Sequence, residues 1–132
     1  MVLYKNFKKN NCFKKSKYKD LFKENLEWGK LVNYGDNKKL PIHNWFRYKE
    51  AFSRKLVEKL LIRFDMNQKD KVIFDPFCGI GTTPLTVKQL GLNYLGSDLS
   101  PLCKFITNTK LDFDKYDVVM LRNELKEIKK WG

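Results

Sequence analysis

The sequence predicts an α/β fold organised around one β-α-β unit in residues 71–100. Three observations carry this prediction. Residues 72–74 form a short apolar run that fits a strand buried on both faces, as parallel sheets require. A glycine-containing loop and a helical pattern come next, and a second strand-like run occupies residues 93–96. Because a helix connects the two strands, we expect them to be parallel neighbours in one sheet.

The first strand is expected to end at Asp75-Pro76. Proline lacks an N–H and disfavours helix in the residue before it, so the chain must turn there. Gly79 and Gly81 then supply a loop whose backbone can adopt positive φ and come close to a ligand. We call residues 76–81 the glycine turn.

The connecting helix has recognisable start and stop signals. Thr82 or Thr83 is a good N-cap, and Pro84 suits the first helical turn. Gly91 fits the C′ position, where a left-handed residue commonly ends a helix. The sequence therefore predicts a helix of about two turns between the strands.

A helix is also predicted before this unit, with Ser53 as its N-cap. Its apolar residues recur at the spacing of one helical face: Leu56, Val57, Leu60, Leu61 and Phe64. The aromatic residues just upstream, Trp45, Phe46 and Tyr48, suit a core, a pocket wall or both.

Two helices are predicted after the second strand. Ser100-Pro101 reads as an N-cap followed by proline at N1, opening a helix to about Lys110. The residues expected to face inward on that helix are Leu102, Phe105, Ile106 and Thr109. The last helix, over residues 115–130, has an apolar face formed by Val118, Leu121, Leu125 and Ile128.

Residues 1–40 are predicted to form a basic N-terminal arm, and residues 41–132 a single domain. Residues 1–19 carry seven lysines and no acidic residue, out of a net charge of +12. Aromatic residues alternate with these lysines, a pattern that fits nucleic-acid contact as well as a solvated tail. The candidate nucleic-acid contacts are Lys8, Lys9, Lys14 and Lys15. A short helix is predicted over residues 17–28, with a loop at residues 35–37.

Composition narrows the class of protein further. No run of 18 apolar residues occurs, and the lysine-rich start lacks the apolar stretch of a secretion signal. A cytoplasmic protein without a membrane partner is therefore expected. Cys12, Cys78, Cys103 and the single histidine, His43, lack the spacing of a zinc site, so free thiols and no metal are predicted.

The two carboxylates after the strands indicate the ligand. A dinucleotide fingerprint would have glycine where Pro84 stands, and no nucleotide-triphosphate loop occurs. Asp75, at the loop's entrance, would repel phosphate but accept from an ammonium group. Asp98, 23 residues later, is placed like the acidic ribose ligand of such units. A cationic nucleoside without phosphate fits both, and S-adenosyl-L-methionine is such a molecule.

The loop sequence also resembles that of a known family. Residues 75–83, DPFCGIGTT, are similar to the D-P-F-x-G-x-G-T-T cofactor loop of amino-group DNA methyltransferases, which methylate adenine N6 or cytosine N4. Residues 41–61 resemble the stretch that precedes this loop in that family, and residues 98–101 the segment after the second strand. The resemblance implies an incomplete Rossmann-like fold of an S-adenosyl-L-methionine-dependent methyltransferase, with residues 41–132 as a partial cofactor-binding domain. It also implies DNA as partner and a place in restriction-modification.

The same resemblance implies a set of cofactor contacts. Phe52 and Ser53 would lie beside the methionine moiety, although Ser53 equally suits a plain helix cap. Asp98 would bind the ribose hydroxyls, and Leu99 would be a further cofactor contact. The glycine turn and its flanks supply the remaining contacts: Asp75, Pro76, Phe77, Cys78, Gly79, Gly81, Thr82 and Thr83.

One part of the family's machinery does not occur in this sequence. Methylation of an exocyclic amine requires a flipped base oriented by a [DNS]-P-P-[YFW] tetrapeptide in the resembled family. No two prolines are adjacent in this chain, and no Pro-Cys pair supports cytosine C5 chemistry, so no catalytic residue is assigned. Only two strands are predicted, which leaves the first β-α-β unit with an unpaired edge.

Three functions fit these observations. The favoured one is the cofactor-binding portion of a DNA amino-methyltransferase, either split or truncated, whose tetrapeptide lies on a second chain or a C-terminal portion. A non-catalytic nucleic-acid-binding subunit is an alternative from another class. A fragment of an RNA guanine methyltransferase is a third, because related D-P-F-C-G-x-G-T loops serve that chemistry.

Overall fold

The structure is a computed structural model, and it describes residues 27–130. Its regular elements begin with three short 3-10 helices, Trp28–Lys30, Gly35–Lys39 and His43–Trp45. Two strands and four α-helices follow: α1 (Arg54–Arg63), β1 (Val72–Asp75), α2 (Thr82–Gln89), β2 (Asn93–Gly96), α3 (Pro101–Leu111) and α4 (Val118–Ile128). The predicted α/β class and its β-α-β unit are confirmed.

Within the described residues, β1 and β2 form a two-stranded parallel sheet. Val72 pairs with Asn93 and Phe74 with Leu95. The prediction that β1 is buried on both faces is wrong, because Val72 and Phe74 are each 57% exposed and Leu95 58% exposed. These three side chains share one face, since register partners point to the same side of a sheet. We call Val72, Phe74 and Leu95 the bare sheet face.

The opposite face of the sheet is covered by helices. Ile73 and Tyr94 pack against a buried cluster formed by Val57 and Leu61 of α1 and Val87 of α2. Helix α2 contacts both strands, α1 and α3. Covering one face while leaving the other exposed is unusual for a parallel sheet, which is normally enclosed on both sides.

The predicted N-cap of α2 is wrong, whereas its predicted end is confirmed. Its N-cap is Gly81, in the left-handed region at φ 82°, and no side chain caps it, so the N-cap predicted at Thr82 or Thr83 is wrong. The stop is confirmed: Gly91 has φ 70° and donates to Lys88 O, while Leu92 N donates to Val87 O. This pair of bonds is a Schellman motif, and Leu92 also packs against the cluster that contains Val87.

The predicted N-cap of α1 is confirmed. Ser53 has extended backbone geometry, and its Oγ accepts from Lys55 N at 3.2 Å. Val57 and Leu61 are buried as expected, whereas Phe64 is 64% exposed and not part of the inward face. Phe64 is excluded because it is the C-cap residue, where the helical path has already ended.

Helix α3 starts as predicted but buries a different face. Ser100 is the N-cap, accepting from Cys103 N, and Pro101 is the first helical residue. Leu102 and Phe105 are 57% and 69% exposed, so the predicted inward face is wrong at these positions. The buried residues are Cys103, Ile106, Thr107 and Lys110, at i, i+3, i+4 and i+7.

Helix α4 is shorter than predicted and is exposed. Asp117 caps it, accepting from Val119 N and Met120 N. None of its residues is buried. Its predicted apolar face, Val118, Leu121, Leu125 and Ile128, is between 50% and 65% exposed.

The segment before α1 is anchored to the start of that helix. Asn37 has no exposed surface; its Nδ2 donates to Phe52 O and its Oδ1 accepts from Arg54 N. Ser53 N donates to Leu31 O at 2.8 Å. Residues 35–37, predicted as a loop, begin a 3-10 helix. Lys8, Lys9, Lys14, Lys15, Cys12 and most of the predicted helix 17–28 lie outside the described residues, and the boundary at residue 40 stays a prediction.

The left-handed geometry of Gly81 gives a testable consequence for stability. A Cβ at this position would lie 2.8 Å from Cγ2 and Oγ1 of Thr107, whereas a Cβ at Gly91 would meet nothing within 4 Å. Gly81→Ala should lower the free energy of unfolding by about 2 to 4 kcal/mol, from positive φ plus overpacking. Gly91→Ala, the matched control, should lower it by only about 1 to 2 kcal/mol. Urea denaturation measures both, and equal losses would contradict the role given to Thr107.

Candidate functional site

The glycine turn is held against the end of β2 by backbone hydrogen bonds. Ser97 N donates to Asp75 O at 3.0 Å, and Cys78 N donates to Ser97 O at 2.9 Å. The Ser97 hydroxyl donates to Pro76 O at 3.0 Å. These bonds extend the parallel pairing past the strand ends, so both acidic positions lie at the same edge of the sheet.

The two predicted carboxylates have distinct partners in the turn. Asp75 Oδ1 accepts from Phe77 N at 3.1 Å, which closes the bend after Pro76. Asp98 bridges two segments: Oδ2 accepts from Gly79 N and Oδ1 from Ser100 N, both at 2.9 Å. Because a carboxylate has about four acceptor positions, each side chain keeps capacity for a ligand.

Cys78 lies between these carboxylates but below the surface. Burial raises the pKa of its thiol, and the negative charges of Asp75 and Asp98 raise it further. Its Sγ sits 3.3 Å from the position that a Cβ on Gly96 would occupy. A buried, protonated thiol packed under β2 is a structural group, and Cys78 and Cys103 are both free thiols.

Helix α3 fixes the glycine turn from behind, through two residues that the sequence reasoning missed. The Thr107 hydroxyl donates to Gly79 O at 2.9 Å. Lys110 Nζ lies 3.3 Å from Ile80 O, to which it donates, and is only 2% exposed. The four buried residues of α3 recur at i, i+3, i+4 and i+7, which is the spacing of one helical face. This face was not recognisable as the buried one from hydrophobicity, because Thr107 and Lys110 are polar.

The other side of the turn is open. Apart from Gly79 and its two chain neighbours, no described heavy atom lies within 4 Å of the position that a Cβ on Gly79 would occupy. Phe77, within the turn, and Leu99, which follows Asp98, are 81% and 98% exposed. Thr82, in contrast, is buried, and its carbonyl accepts from the Thr86 hydroxyl. A ligand would therefore approach from the side of Gly79.

The segment upstream of α1 reaches the turn through different residues from those predicted. Ser53 is fully buried and acts as the helix cap, while Phe52 packs in the cluster under Ile73. Ala51 and Tyr48 instead pack with Ile80 of the turn. Contact of Phe52 and Ser53 with a cofactor stays a prediction.

Tyr48 is half-buried and packs against the cluster that contains Ile80 of the glycine turn. The neighbouring Cys103 side chain raises the pKa of the Tyr48 phenol, and the charges of Glu50 and Asp98 add to the effect. Trp45 and Phe46, in the same aromatic segment, are 51% and 38% exposed. The segment thus contributes one half-buried ring to the cluster around Ile80 rather than a buried aromatic core.

His43 is a buried structural residue. Its Nε2 lies 3.3 Å from Gln89 Oε1, which also accepts from Arg54. Burial is the main cause that lowers the pKa of His43 to about 4, and the positive charges of Arg54 and Lys110 oppose protonation as well. The imidazole is therefore neutral at physiological pH and is positioned to donate to Gln89.

A cleft of about 400 Å³ lies beside β2, between α2 and α3. Its lining includes Tyr94, Asn108 and Asp112, but neither Asp75 nor Asp98. It is therefore a separate depression from the edge where the two carboxylates meet.

Comparison with known proteins now adds to this geometry. The model of a DNA methylase family, N6_N4_Mtase, matches residues 3–108. The chain belongs to this family. The match covers the glycine turn, both acidic positions and most of α3, so the predicted membership among amino-methyltransferases is confirmed.

Several curated relatives are type II methyltransferases. M.BsoBI of Geobacillus stearothermophilus is 43% identical over 99 residues, which are 75% of this chain and 19% of the relative. M.MjaII of Methanocaldococcus jannaschii is 38% identical over 87 residues, 66% of this chain and 16% of the relative. M.AvaI of Nostoc sp. (strain PCC 7120) is 34% identical over 73 residues, 55% and 15%. The matches thus span less than a fifth of these relatives, and no solved structure matches significantly.

Among residues 27–130, no helix has both the length and the apolar character needed to cross a bilayer. In the same range, His, Cys, Asp and Glu side chains form no group of three or more that could hold a metal ion.

The buried imidazole predicts how stability depends on pH. Because the folded state holds the pKa of His43 at about 4, below the ordinary 6.5, only the unfolded chain binds the proton between these values. The free energy of unfolding should fall as pH drops from about 6.5 to 4, by on the order of 3 kcal/mol from this group. His43→Gln keeps an N–H donor without a titrating group, so its stability should fall less over the same range. Urea titrations at several pH values test this, and parallel curves for both proteins would contradict it.

Proposed function

We propose that this chain is the cofactor-binding portion of a type II DNA amino-methyltransferase, acting on adenine N6 or cytosine N4. One observation carries the proposal: a glycine turn that is open in front of Gly79 and flanked by the carboxylates of Asp75 and Asp98. Membership of a DNA methylase family supports it. The names of the relatives favour DNA over the RNA alternative, since each is called a type II methyltransferase.

The residues of the site suit S-adenosyl-L-methionine. Asp98 would accept from the ribose hydroxyls with the lone pairs that Gly79 N and Ser100 N leave available. Asp75 would accept from the cofactor's ammonium group, directly or through water. The uncrowded backbone at Gly79 would let the adenosyl portion approach, with Phe77 and Leu99 as exposed apolar walls. The bound cofactor would supply the methyl group.

The proposal includes a further polypeptide, either a second chain or a C-terminal portion. It would carry the [DNS]-P-P-[YFW] tetrapeptide that this sequence lacks, and it would complete a Rossmann-like sheet. The bare sheet face supports this, because parallel sheets are normally enclosed on both sides and Val72, Phe74 and Leu95 are more than half exposed. The exposed apolar face of α4 offers additional surface of the same kind.

DNA is proposed as the macromolecular partner. The lysines of residues 1–19 would neutralise backbone phosphates, with Lys8, Lys9, Lys14 and Lys15 as the candidate contacts. Such binding carries little sequence information, so recognition of a specific site would require the further polypeptide.

Asp98→Ala tests the cofactor site. Removing a charge-assisted acceptor should weaken binding of S-adenosyl-L-methionine by about 1 to 3 kcal/mol. Isothermal titration calorimetry measures the dissociation constant. Asp70→Ala is the control, because Asp70 is an exposed carboxylate that precedes β1, at the opposite end of the strand from the turn. An unchanged constant for Asp98→Ala in a folded protein would contradict the assignment, and no binding by the wild-type chain would contradict the proposed function.

A complementation experiment tests the further polypeptide. Methyl transfer to DNA should be absent from this chain alone and should appear when it is mixed with the remaining portion of a family member such as M.BsoBI. Phe74→Glu should reduce this complementation at least tenfold, because it places a charge in the proposed interface. Phe64→Glu, at a similarly exposed phenylalanine that is the C-cap residue of α1, is the control. Methylation by the isolated chain, or equal loss in both variants, would contradict this part of the proposal.

A further inference from the structure

Lys110 is a buried cation that the proposed chemistry leaves without a role. It is 2% exposed, yet no carboxylate forms an ion pair with it among the described residues. Burying an unpaired ammonium group is unfavourable, and burial lowers its pKa from 10.5 to about 8. A methionine of similar length would avoid this penalty, so the lysine requires an explanation other than packing.

Its hydrogen bonds join two segments that approach the site from different directions. Nζ donates to Ile80 O at 3.3 Å, inside the glycine turn, and to His43 O at 3.5 Å, upstream of α1. The same His43 carbonyl accepts from the Tyr34 hydroxyl at 2.7 Å. Lys110 thus joins the backbone of the glycine turn to the segment that carries Tyr48 through hydrogen bonds from one side chain.

The geometry at the turn shows what this link controls. Thr107, one helical turn before Lys110, donates to Gly79 O, so α3 holds consecutive carbonyls of the turn. With these carbonyls directed towards α3, Gly79 keeps its open side away from the helix, and its N–H reaches Asp98. Losing one donor would let the turn rotate and displace the carboxylate to which it is bonded.

We propose that Lys110 is a positioning residue, whose protonated amino group fixes the glycine turn and the His43 segment in the arrangement that binds the cofactor. This inference rests on the proposed function and extends it to a residue that touches no ligand. The titratable groups described beside Lys110 include His43, whose pKa burial lowers to about 4, and Tyr34, which donates to the same His43 carbonyl and whose pKa burial raises. Cys78, packed at the turn, has a raised pKa.

The experiment compares Lys110→Met with Lys104→Met, a control at an exposed position of the same helix. Calorimetry with S-adenosyl-L-methionine is run from pH 6.5 to 9.5. The ratio of the dissociation constants of Lys110→Met and wild type should be about tenfold at pH 6.5 and should decrease as pH rises through the pKa of Lys110, because a neutral amine donates more weakly to the two carbonyls than an ammonium group does. Because both proteins bind the same ligand, the effect of protonation of the ligand's own amino group cancels in the ratio. Lys104→Met should give a ratio near one at every pH.

A ligand-free readout accompanies this titration. In Lys110→Met, amide hydrogen exchange at Gly79 and Gly81 should accelerate at least severalfold, while amides of α1 stay protected. A purely structural lysine predicts a ratio that does not vary with pH, and that result would overturn the inference. So would wild-type affinity and exchange in Lys110→Met. If the wild-type chain binds no cofactor, the proposed function fails instead, and the exchange measurement still decides whether Lys110 holds the turn.

Discussion

The need to satisfy buried carbonyl groups of a tight turn shapes the candidate site. The glycine turn reverses the chain between β1 and α2, and its carbonyls at Gly79 and Ile80 lie against α3 rather than in water. Unpaired buried carbonyls are unfavourable, so the facing helix must offer donors. Thr107 and Lys110 provide them, and the small size of Gly81 lets Thr107 pack close to the turn. A helix α3 with a wholly apolar inner face would cover the turn, but the carbonyls of Gly79 and Ile80 would have no donor there to fix their orientation.

This requirement also explains which parts of the structure could be read from the sequence. The strands, the Gly91 stop and the caps at Ser53 and Ser100 were predictable because each depends on residues within a few positions. The buried face of α3 was not, because apolar residues were assumed to point inward. Leu102 and Phe105 are exposed there, while donors occupy the inside.

The exposed apolar surface has a different origin. The apolar run at residues 72–74 predicts a strand enclosed on both faces. Among the described residues only the face that carries Ile73 is covered. Val72 and Phe74 are exposed since no element among residues 27–130 covers that side of the sheet. The matches span at most 19% of relatives such as M.BsoBI. The glycine turn, in contrast, is held by hydrogen bonds among the described residues, since Gly79 N donates to Asp98 and the Thr107 hydroxyl donates to Gly79 O.

The bonds made by Asp98 have a consequence for how a ligand would be received. Its two carboxylate oxygens accept from Gly79 N and Ser100 N, so the backbone at these two positions is ordered before a ligand binds. An incoming molecule would then meet a preorganised backbone and lose little conformational entropy in ordering it. Such a site would select ligands whose shape fits the ordered backbone around Asp98. Ligands that require this backbone to rearrange would be disfavoured.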